Sequence, residues 1–452
     1  MPPWKKTEKN AIQLSDHFSY AKLLRFTFPS IAMMIFTSIY GVIDGFFVSN
    51  YVSEAAFTAV NFIMPFLMLL GAVGFMFGTG GSALIAKTMG QGEKENAEKI
   101  FSLIVCTALV IGCMLTVLGL VFLRPFASLL GAEGRLLEDC VIYGRMIIIA
   151  VPAFVLQQAF QSFFIAAEKS NLGFLVTVAA GITNMILDAL LVAVLNLGLQ
   201  GAAAATAISA VIGGFVPLLY FSRPNQSRLR LRKTKFDSFV LLRTCANGSS
   251  ELMSSVSTSI VSMLYNTQLM KYAGENGVSA YGVLMYVNLI FLAVFIGYSI
   301  GAAPVISYHY GAENHSELKG LLKKSAVIMI GFSVCMFLAS QFLSVPLTGI
   351  FVKPESDSYE LTIRAFSIFS YSFLFAGISI FSSAFFTALN DGLTSALVSF
   401  LRTLVFQTAS VLLLPLLLKT EGIWAAMIVA ELVAGMLSIC FIFGKRKKYH
   451  YL

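Results

Sequence analysis

The 452-residue sequence is poor in charge, since only 12% of its residues are Asp, Glu, Lys or Arg, whereas 57% are hydrophobic. Soluble globular domains carry charge on about a quarter of their residues. The mean hydropathy of +0.81 points the same way. An ordinary soluble globular protein is therefore excluded, and a membrane protein is indicated.

Several chemical signatures are also missing. The chain has no Gly-rich phosphate loop ending in Gly-Lys-Ser or Gly-Lys-Thr, so it contains no ATPase engine of that kind. The six cysteines lie mostly in apolar blocks without paired spacing, which indicates neither a disulfide framework nor a zinc site. The four histidines lie outside or at the ends of the apolar blocks. None of them can therefore be the base at membrane depth that an intramembrane protease needs. No enzyme and no cofactor are expected.

The apolar residues fall into long blocks, each near or above the length of about 20 residues that crosses a bilayer as a helix. The first 25 residues are polar and charged, and we expect no cleaved signal peptide there. Twelve spans are predicted, at 26–49, 56–87, 100–123, 138–167, 172–196, 202–222, 239–270, 279–308, 324–350, 361–389, 395–418 and 424–444.

Basic residues are distributed unevenly between the two sets of loops. If the N-terminus is cytoplasmic, the inner loops hold most of the Lys and Arg, from Lys5, Lys6 and Lys9 to the Lys445–Lys448 cluster. This bias is typical of orientation in a cell membrane, with both termini inside. It also accounts for the net charge of +8 without a nucleic-acid partner.

The two halves of the chain repeat at an offset of 221 residues. Gly80 and Gly90 correspond to Gly301 and Gly311, and Gly201 corresponds to Gly422. Each half has an even number of spans, so the repeats share one orientation and are related by an axis along the membrane normal. We predict an N-terminal six-helix lobe at 1–222, a basic linker at 223–238 and a C-terminal six-helix lobe at 239–452.

Acids within spans are expensive, which makes them the first candidates for function. Asp44 in span one, Asp188 in span five and Thr206 in span six are predicted at similar depths, with Asn184 one helical turn from Asp188. Their oxygens suit a small hard cation such as Na⁺, and two close carboxylates can equally share a proton. The alternative is hydrogen bonding that only joins helices. The residues 221 positions later are Tyr265, Val405, Ala409 and Met427, none of which is charged. A charged site is therefore predicted in one lobe only.

Other polar positions have two interpretations each. Pro29, in the same span as Asp44, is either a hinge or a static kink. Glu251 in span seven has either a functional or a structural role. The amides of Gln158 and Gln161 in span four line a cavity or join helices.

Taken as a set, several motifs resemble the MATE (multidrug and toxic compound extrusion) family over essentially the whole chain. The motifs are Pro29, Tyr40 and Asp44 in span one, Met-Gly-Gln-Gly at 89–92, Asn184-Met-Ile-Leu-Asp188 followed by Gly201-Ala-Ala, and Tyr-His-Tyr-Gly at 308–311. The resemblance implies twelve helices in two lobes and export of organic compounds by alternating access, driven by Na⁺ or H⁺. Asp44, Asn184, Asp188 and Thr206 resemble the N-lobe cation site of the DinF-like branch.

We therefore expect a monomeric exporter of amphiphilic cationic compounds. The exporter is expected to lie in the plasma membrane and to contact membrane lipid. Tyr40, Gln158, Gln161 and Glu251 are candidates for the substrate cavity or for coupling. The nearest alternative is a flippase for a lipid-linked saccharide. An anionic pyrophosphate headgroup needs a cationic cavity, however, and the deep charges here are chiefly acidic.

Overall fold

The computed structural model describes residues 12–129, 131–352, 354 and 356–451. The basic residues Lys5, Lys6 and Lys9 and the outer ends of the two predicted lobes, 1–11 and 452, lie outside the described residues. All regular secondary structure within the described ranges is helical.

The N-lobe comprises six helices. Their bounds are α1 Tyr20–Tyr51, α2 Glu54–Gly90, α3 Lys94–Leu129, α4 Gly134–Ile149 with Val151–Ala166, α5 Ser170–Leu187 continued by a π-helical segment Asp188–Val194, and α6 Gly198–Ser222. The two parts of α4 meet at a bend of 59°. Ser19 and Ser53 cap α1 and α2 by accepting hydrogen bonds from backbone N–H groups three residues ahead.

The C-lobe repeats this arrangement. A continuous helical stretch, Ser238–Gly311, is broken at Gly274, whose φ of 63° is the left-handed conformation that glycine adopts readily. The resulting helices are α7 (238–273) and α8 (275–311). They are followed by α9 His315–Phe351, α10 (357–388) with a short 3₁₀ turn at Ser370–Ser372, α11 (392–418) with a π-helical segment Leu401–Phe406, and α12 (420–449) after a second break at Lys419.

Nine helices in the described ranges are long and apolar enough to cross a membrane, or ten if the bent pair in α4 counts as one span. Two of these are stretches that the breaks at Gly274 and Lys419 divide, so the described chain has twelve spans. The predicted fold class, with twelve helices in two lobes, is confirmed. Most helices run several residues beyond the predicted spans, because their polar first and last turns extend past the apolar blocks.

The lobes meet through closely opposed backbones on one side of the molecule. We name this side the terminal face, because it carries the described chain ends and residues 223–237. A Cβ added to Gly90 of α2 would lie 2.1 Å from the carbonyl oxygen of Tyr308, and one added to Gly311 of α8 would lie 2.1 Å from that of Lys87. Both residues of each pair differ by 221 from their counterparts, so the contacts are related by the repeat. The terminal face is closed in this conformation.

A second repeat-related set lies further along α2 and α8, where these helices meet α7 and α1. A Cβ on Gly80 would lie 2.2 Å from the carbonyl oxygen of Thr244, and one on Gly248 would lie 2.0 Å from that of Met76. Gly301, the repeat partner of Gly80, packs against Thr27 and Ser30 of α1. The glycines recognised as a sequence repeat thus let α1 and α2 approach α7 and α8 at backbone distance.

Residues 12–18, which we name the strap, precede α1 and contact the N-lobe first. The backbone N–H of Leu14 donates to Glu168 Oε1 at 2.7 Å, and Arg228 of the linker pairs with Glu168 Oε2 at 2.9 Å and with Gln13 Oε1 at 2.7 Å. Burial raises the pKa of Glu168, although the Leu14 N–H and Arg228 both stabilise its charged form. The strap is therefore fixed to the α4–α5 turn and the linker.

The other end of the strap contacts the C-lobe. The N–H of Phe18 donates to Glu317 Oε1 at 2.9 Å, and Nδ1 of His17 lies 2.6 Å from Glu317 Oε2. Lys324 donates to the carbonyl oxygen of Phe18, whose side chain is fully buried. The strap thus joins both lobes across the terminal face.

Candidate functional site

The strongest candidate site lies in the N-lobe, in the half remote from the terminal face. Asp44 comes from α1, Asn184 and Asp188 from α5, and Thr206 from α6. Asp188 is the residue at which α5 changes from α-helix to π-helix. Because a π-helical turn contains an extra residue, it changes the direction of neighbouring side chains, and such segments are common at functional sites. The four residues that the sequence singled out come together here.

The polar contacts within this group are long and incomplete. Thr206 Oγ1 donates to Asp44 Oδ1 at 3.4 Å, and Asn184 Nδ2 donates to Thr206 Oγ1 at 3.4 Å. The carboxyl groups of Asp44 and Asp188 interact directly. Asp188 is fully buried, and neither of its oxygens, nor Oδ1 of Asn184, has a hydrogen-bond partner among the described residues. Several acceptor oxygens are thus grouped without enough donors.

This imbalance determines what the group can do. Burying an ionised carboxylate is very unfavourable unless it is neutralised, and here two carboxylates share one site. A small cation coordinated by carboxylate, amide and hydroxyl oxygens would satisfy all of them, as would a proton shared between the two acids. The geometry suits an exchangeable cation better than a permanent helix contact, which would pair each acceptor with a donor.

Three further side chains surround the site. Tyr40, one turn before Asp44 on α1, packs against Gly181 of α5 and interacts with Gln157. Tyr143 of α4 is buried and lies close enough to Thr206, Asp44 and Asp188 to interact with all three. Tyr143 is not predictable from the sequence, because no spacing relates α4 to the acids of α1 and α5.

The remaining N-lobe candidates lie elsewhere. Gln158 and Gln161 are buried in α4, where Gln161 Nε2 donates to Gln158 Oε1 at 2.9 Å. Pro29 lies within α1, next to the residues that contact Gly297 and Gly301 of the C-lobe. The structure does not bring these three residues together with Asp44, and their roles stay predictions.

Glu251 lies in the C-lobe and lines a cavity of about 220 Å³, whose wall also includes Thr79, Ser82 and Ser162 of the N-lobe. The wall is rich in hydroxyl groups from α7, α8, α10 and α11, including Ser254, Thr258 and Ser399. Arg402 of α11 lines the same cavity and forms a two-point ion pair with Glu431 of α12, with Nε–Oε2 and Nη2–Oε1 distances of 2.9 and 2.8 Å. Arg402 is therefore paired and not free to bind an anion.

Comparison with known proteins agrees with this architecture. The MatE family model matches residues 29–190 and 252–411, one segment in each lobe. Multidrug export protein MepA of Staphylococcus haemolyticus is 24% identical over 433 residues, which cover 95% of this chain and 94% of that protein.

Two solved structures are similar throughout. One is a MATE protein in complex with MaL6, with a TM-score of 0.92 and 20% identity, covering 98% of this chain and 100% of the other. The second is an outward-facing multidrug resistance MATE transporter of the MOP superfamily, with a TM-score of 0.92 and 20% identity, covering 98% of this chain and 99% of the other. The likeness to the DinF-like branch stays a prediction.

Proposed function

Because this chain belongs to the MatE family and is a multidrug efflux transporter, not an enzyme, we propose that cation binding at Asp44 and Asp188 drives its export cycle. Members of this family need no cofactor, and their transport is coupled to Na⁺ or H⁺. The observation that carries the proposal is the pair of interacting carboxylates, one of them fully buried with both oxygens unsatisfied.

In this mechanism the cation and the substrate bias the same conformational equilibrium. A cation entering from the face opposite the terminal face neutralises Asp44 and Asp188 and allows α1 and α5 to pack together. Asn184 and Thr206 supply neutral oxygens that hold the ion in place of water. The bound ion changes the packing around Tyr40, so binding of one ligand favours release of the other.

The lobes would then rock against each other. The terminal face is closed in this conformation by the Gly90–Tyr308 and Gly311–Lys87 contacts. Separation of these contacts would open a path from the terminal side, with Pro29 as the hinge in α1. Following the distribution of basic residues, we place the protein in the plasma membrane with both termini in the cytoplasm, acting as a monomer. Export then means movement away from the terminal face.

We propose amphiphilic organic cations as substrates, because the ionisable groups deep in both lobes are mainly acidic. Tyr40, Gln158 and Gln161 in the N-lobe and Glu251 in the C-lobe would contact them. The MepA relatives are named multidrug export proteins, which agrees with this class. A lipid-linked pyrophosphate is disfavoured, since Arg402 is already paired with Glu431.

The decisive experiment is transport in proteoliposomes. Purified protein is reconstituted, an inward Na⁺ or H⁺ gradient is imposed, and efflux of a panel of cationic dyes is followed. We expect efflux under at least one gradient and none after its collapse, and we expect Asp44→Asn to reduce efflux to the level of protein-free liposomes.

The matched control is Glu138→Gln, which removes an exposed carboxylate paired with Arg124 on the surface of the same lobe. It should transport like the wild type. Full gradient-driven efflux by a folded Asp44→Asn protein would contradict the proposed site. Dye movement that ignores both gradients would contradict secondary transport itself.

A further inference from the structure

The C-lobe carries a counterpart of the N-lobe carboxylate site, but with a cation built into it. The offset of 221 makes α7, α11 and α12 the counterparts of α1, α5 and α6, the three helices that hold Asp44, Asp188 and Thr206. The ion pair of Arg402 and Glu431 joins α11 to α12. Each lobe also has a π-helical segment in the corresponding helix, Asp188–Val194 in α5 and Leu401–Phe406 in α11. Arg402 lies within the second segment.

The surroundings of the pair match this correspondence. Tyr265 occupies the position equivalent to Asp44 and is close enough to Glu431 to interact with it. Glu431 lies one helical turn beyond Met427, the equivalent of Thr206. Its side chain is 3% exposed and that of Arg402 is 13% exposed, so the pair is largely removed from solvent.

The charges of the two sites differ in one respect. The N-lobe group has two carboxylates and no basic side chain among the contacts described above. The ionisable residues lining the cavity between the lobes are Glu251, Arg402, Glu431 and Tyr281, all from the C-lobe. Arg402 contacts both oxygens of Glu431 and also interacts electrostatically with Glu251. Two acids are thus present at each of the two sites, but only the C-lobe site has its own basic side chain.

We propose that Arg402 is a tethered counter-ion that takes the place of an exchangeable monovalent cation in the C-lobe. This inference rests on the proposed N-lobe coupling site. The guanidinium cannot leave, so Glu431 stays neutralised in every conformation and contributes no ion to the transport cycle. Arg402 therefore confines coupling to the N-lobe. It acts through Glu431 and is in that sense a positioning residue.

Removal of the tethered charge tests this directly. Arg402→Gln is made in wild-type and Asp44→Asn backgrounds, and Tm is measured in detergent with NaCl against choline chloride at equal ionic strength, and at pH 8 against pH 6. In the Asp44→Asn background we expect no response to Na⁺, and any rise in Tm on acidification reports the acids that remain, Asp188 and Glu251. Adding Arg402→Gln should create a rise in Tm with Na⁺ or enlarge the rise on acidification, because Glu431 then takes up a free cation.

Two control variants separate this role from simple helix joining. Arg402→Lys keeps a tethered charge and should respond like its parent, as should the double variant Arg402→Gln/Glu431→Gln, which lacks the second carboxylate. The double variant also avoids leaving a buried charge unpaired, which destabilises a protein strongly. It therefore shows whether position 402 tolerates a neutral residue.

The outcomes are distinct. No gain of cation dependence in Arg402→Gln, or an equal gain in Arg402→Lys, would overturn the tethered counter-ion. A wild-type response that Asp44→Asn leaves unchanged would instead contradict the N-lobe site. In that case, comparing Arg402→Gln with Arg402→Lys in the wild-type background would still test the tethered counter-ion. In proteoliposomes, the number of ions moved per substrate should rise in Arg402→Gln and stay constant in Arg402→Lys.

Discussion

At the scale of single residues, Asp188 combines full burial with two oxygens that accept no hydrogen bond within the described chain. We expect Asp188→Asn to reduce gradient-driven efflux as severely as Asp44→Asn, because each substitution leaves the other acid without the shared ion. Glu251→Gln should be milder, since Arg402 remains to neutralise Glu431. Efflux is compared at matched expression, together with Tm in ion-free buffer, which Asp188→Asn should not lower.

The opposite ranking would be informative. If Glu251→Gln abolishes efflux while Asp188→Asn retains it, coupling runs through the C-lobe and the one-sided site is wrong.

Thr206 contributes a single neutral oxygen to the site. Thr206→Ala should weaken the apparent affinity for the coupling ion about fivefold, since one hydrogen bond or ligand of this kind is worth about 1 kcal/mol. Maximal efflux at saturating ion should persist. The measurement is the ion-concentration dependence of efflux, with Thr183→Ala as the control, because Thr183 lies on α5 and donates only to the backbone of Ala179. Equal ion dependence in both variants would remove Thr206 from the site.

At the scale of helices, the repeat-related glycines make a quantitative test possible. Gly90→Ala and Gly311→Ala each place a Cβ 2.1 Å from a carbonyl oxygen of the other lobe, so the closed terminal face must open or deform. Overpacking of this kind costs about 1–3 kcal/mol, which corresponds to at least a fivefold loss of the closed state. We expect similar losses of efflux in both variants, because the repeat relates the two contacts.

Gly331→Ala provides the control, since a Cβ at this position in α9 meets nothing within 4 Å. It should transport normally. A loss confined to Gly90→Ala or to Gly311→Ala would show that the two contacts are not equivalent in the cycle.

Much of the arrangement of the helices follows from the sequence. The length of the apolar blocks, the basic residues of the loops and the internal repeat each have a direct physical cause. The spans and the group of Asp44, Asn184, Asp188 and Thr206 were predicted for that reason. The breaks at Gly274 and Lys419 lie in the short polar segments 271–278 and 419–423 between predicted spans, although no loop separates the helices there. The π-helical segments and the partnership of Arg402 with Glu431 depend on packing between distant helices, which spacing along one chain does not reveal. The domain boundaries stay predictions.

At the scale of the whole molecule, the strap connects the lobes through Glu317. Glu317→Gln should weaken this connection, because it removes the charge that holds His17 and Lys324 while preserving the size of the side chain. Charged hydrogen bonds contribute about 1.5–3 kcal/mol, so the open population of the terminal face should rise at least tenfold. Spin labels at positions 94 and 319, in a background without the six native cysteines, would report the distance between lobes.

Glu313→Gln is the appropriate comparison, since Glu313 is exposed one turn away and shares the local backbone. An unchanged distance distribution in Glu317→Gln would show that the strap follows the lobes without holding them.

The strap also imposes an order on biosynthesis. His17 and Glu317 are separated by 300 residues, so the first described segment of the chain emerges from the ribosome long before its C-lobe partner exists. At about 5–20 residues per second, the delay is roughly 15–60 s. During that time the N-lobe residue Glu168 and the linker residue Arg228 become available to hold the segment. Docking of the strap onto Glu317 therefore marks a chain whose second lobe has begun to assemble, and an N-terminal extension bulky enough to prevent it would interfere with maturation before it affected transport.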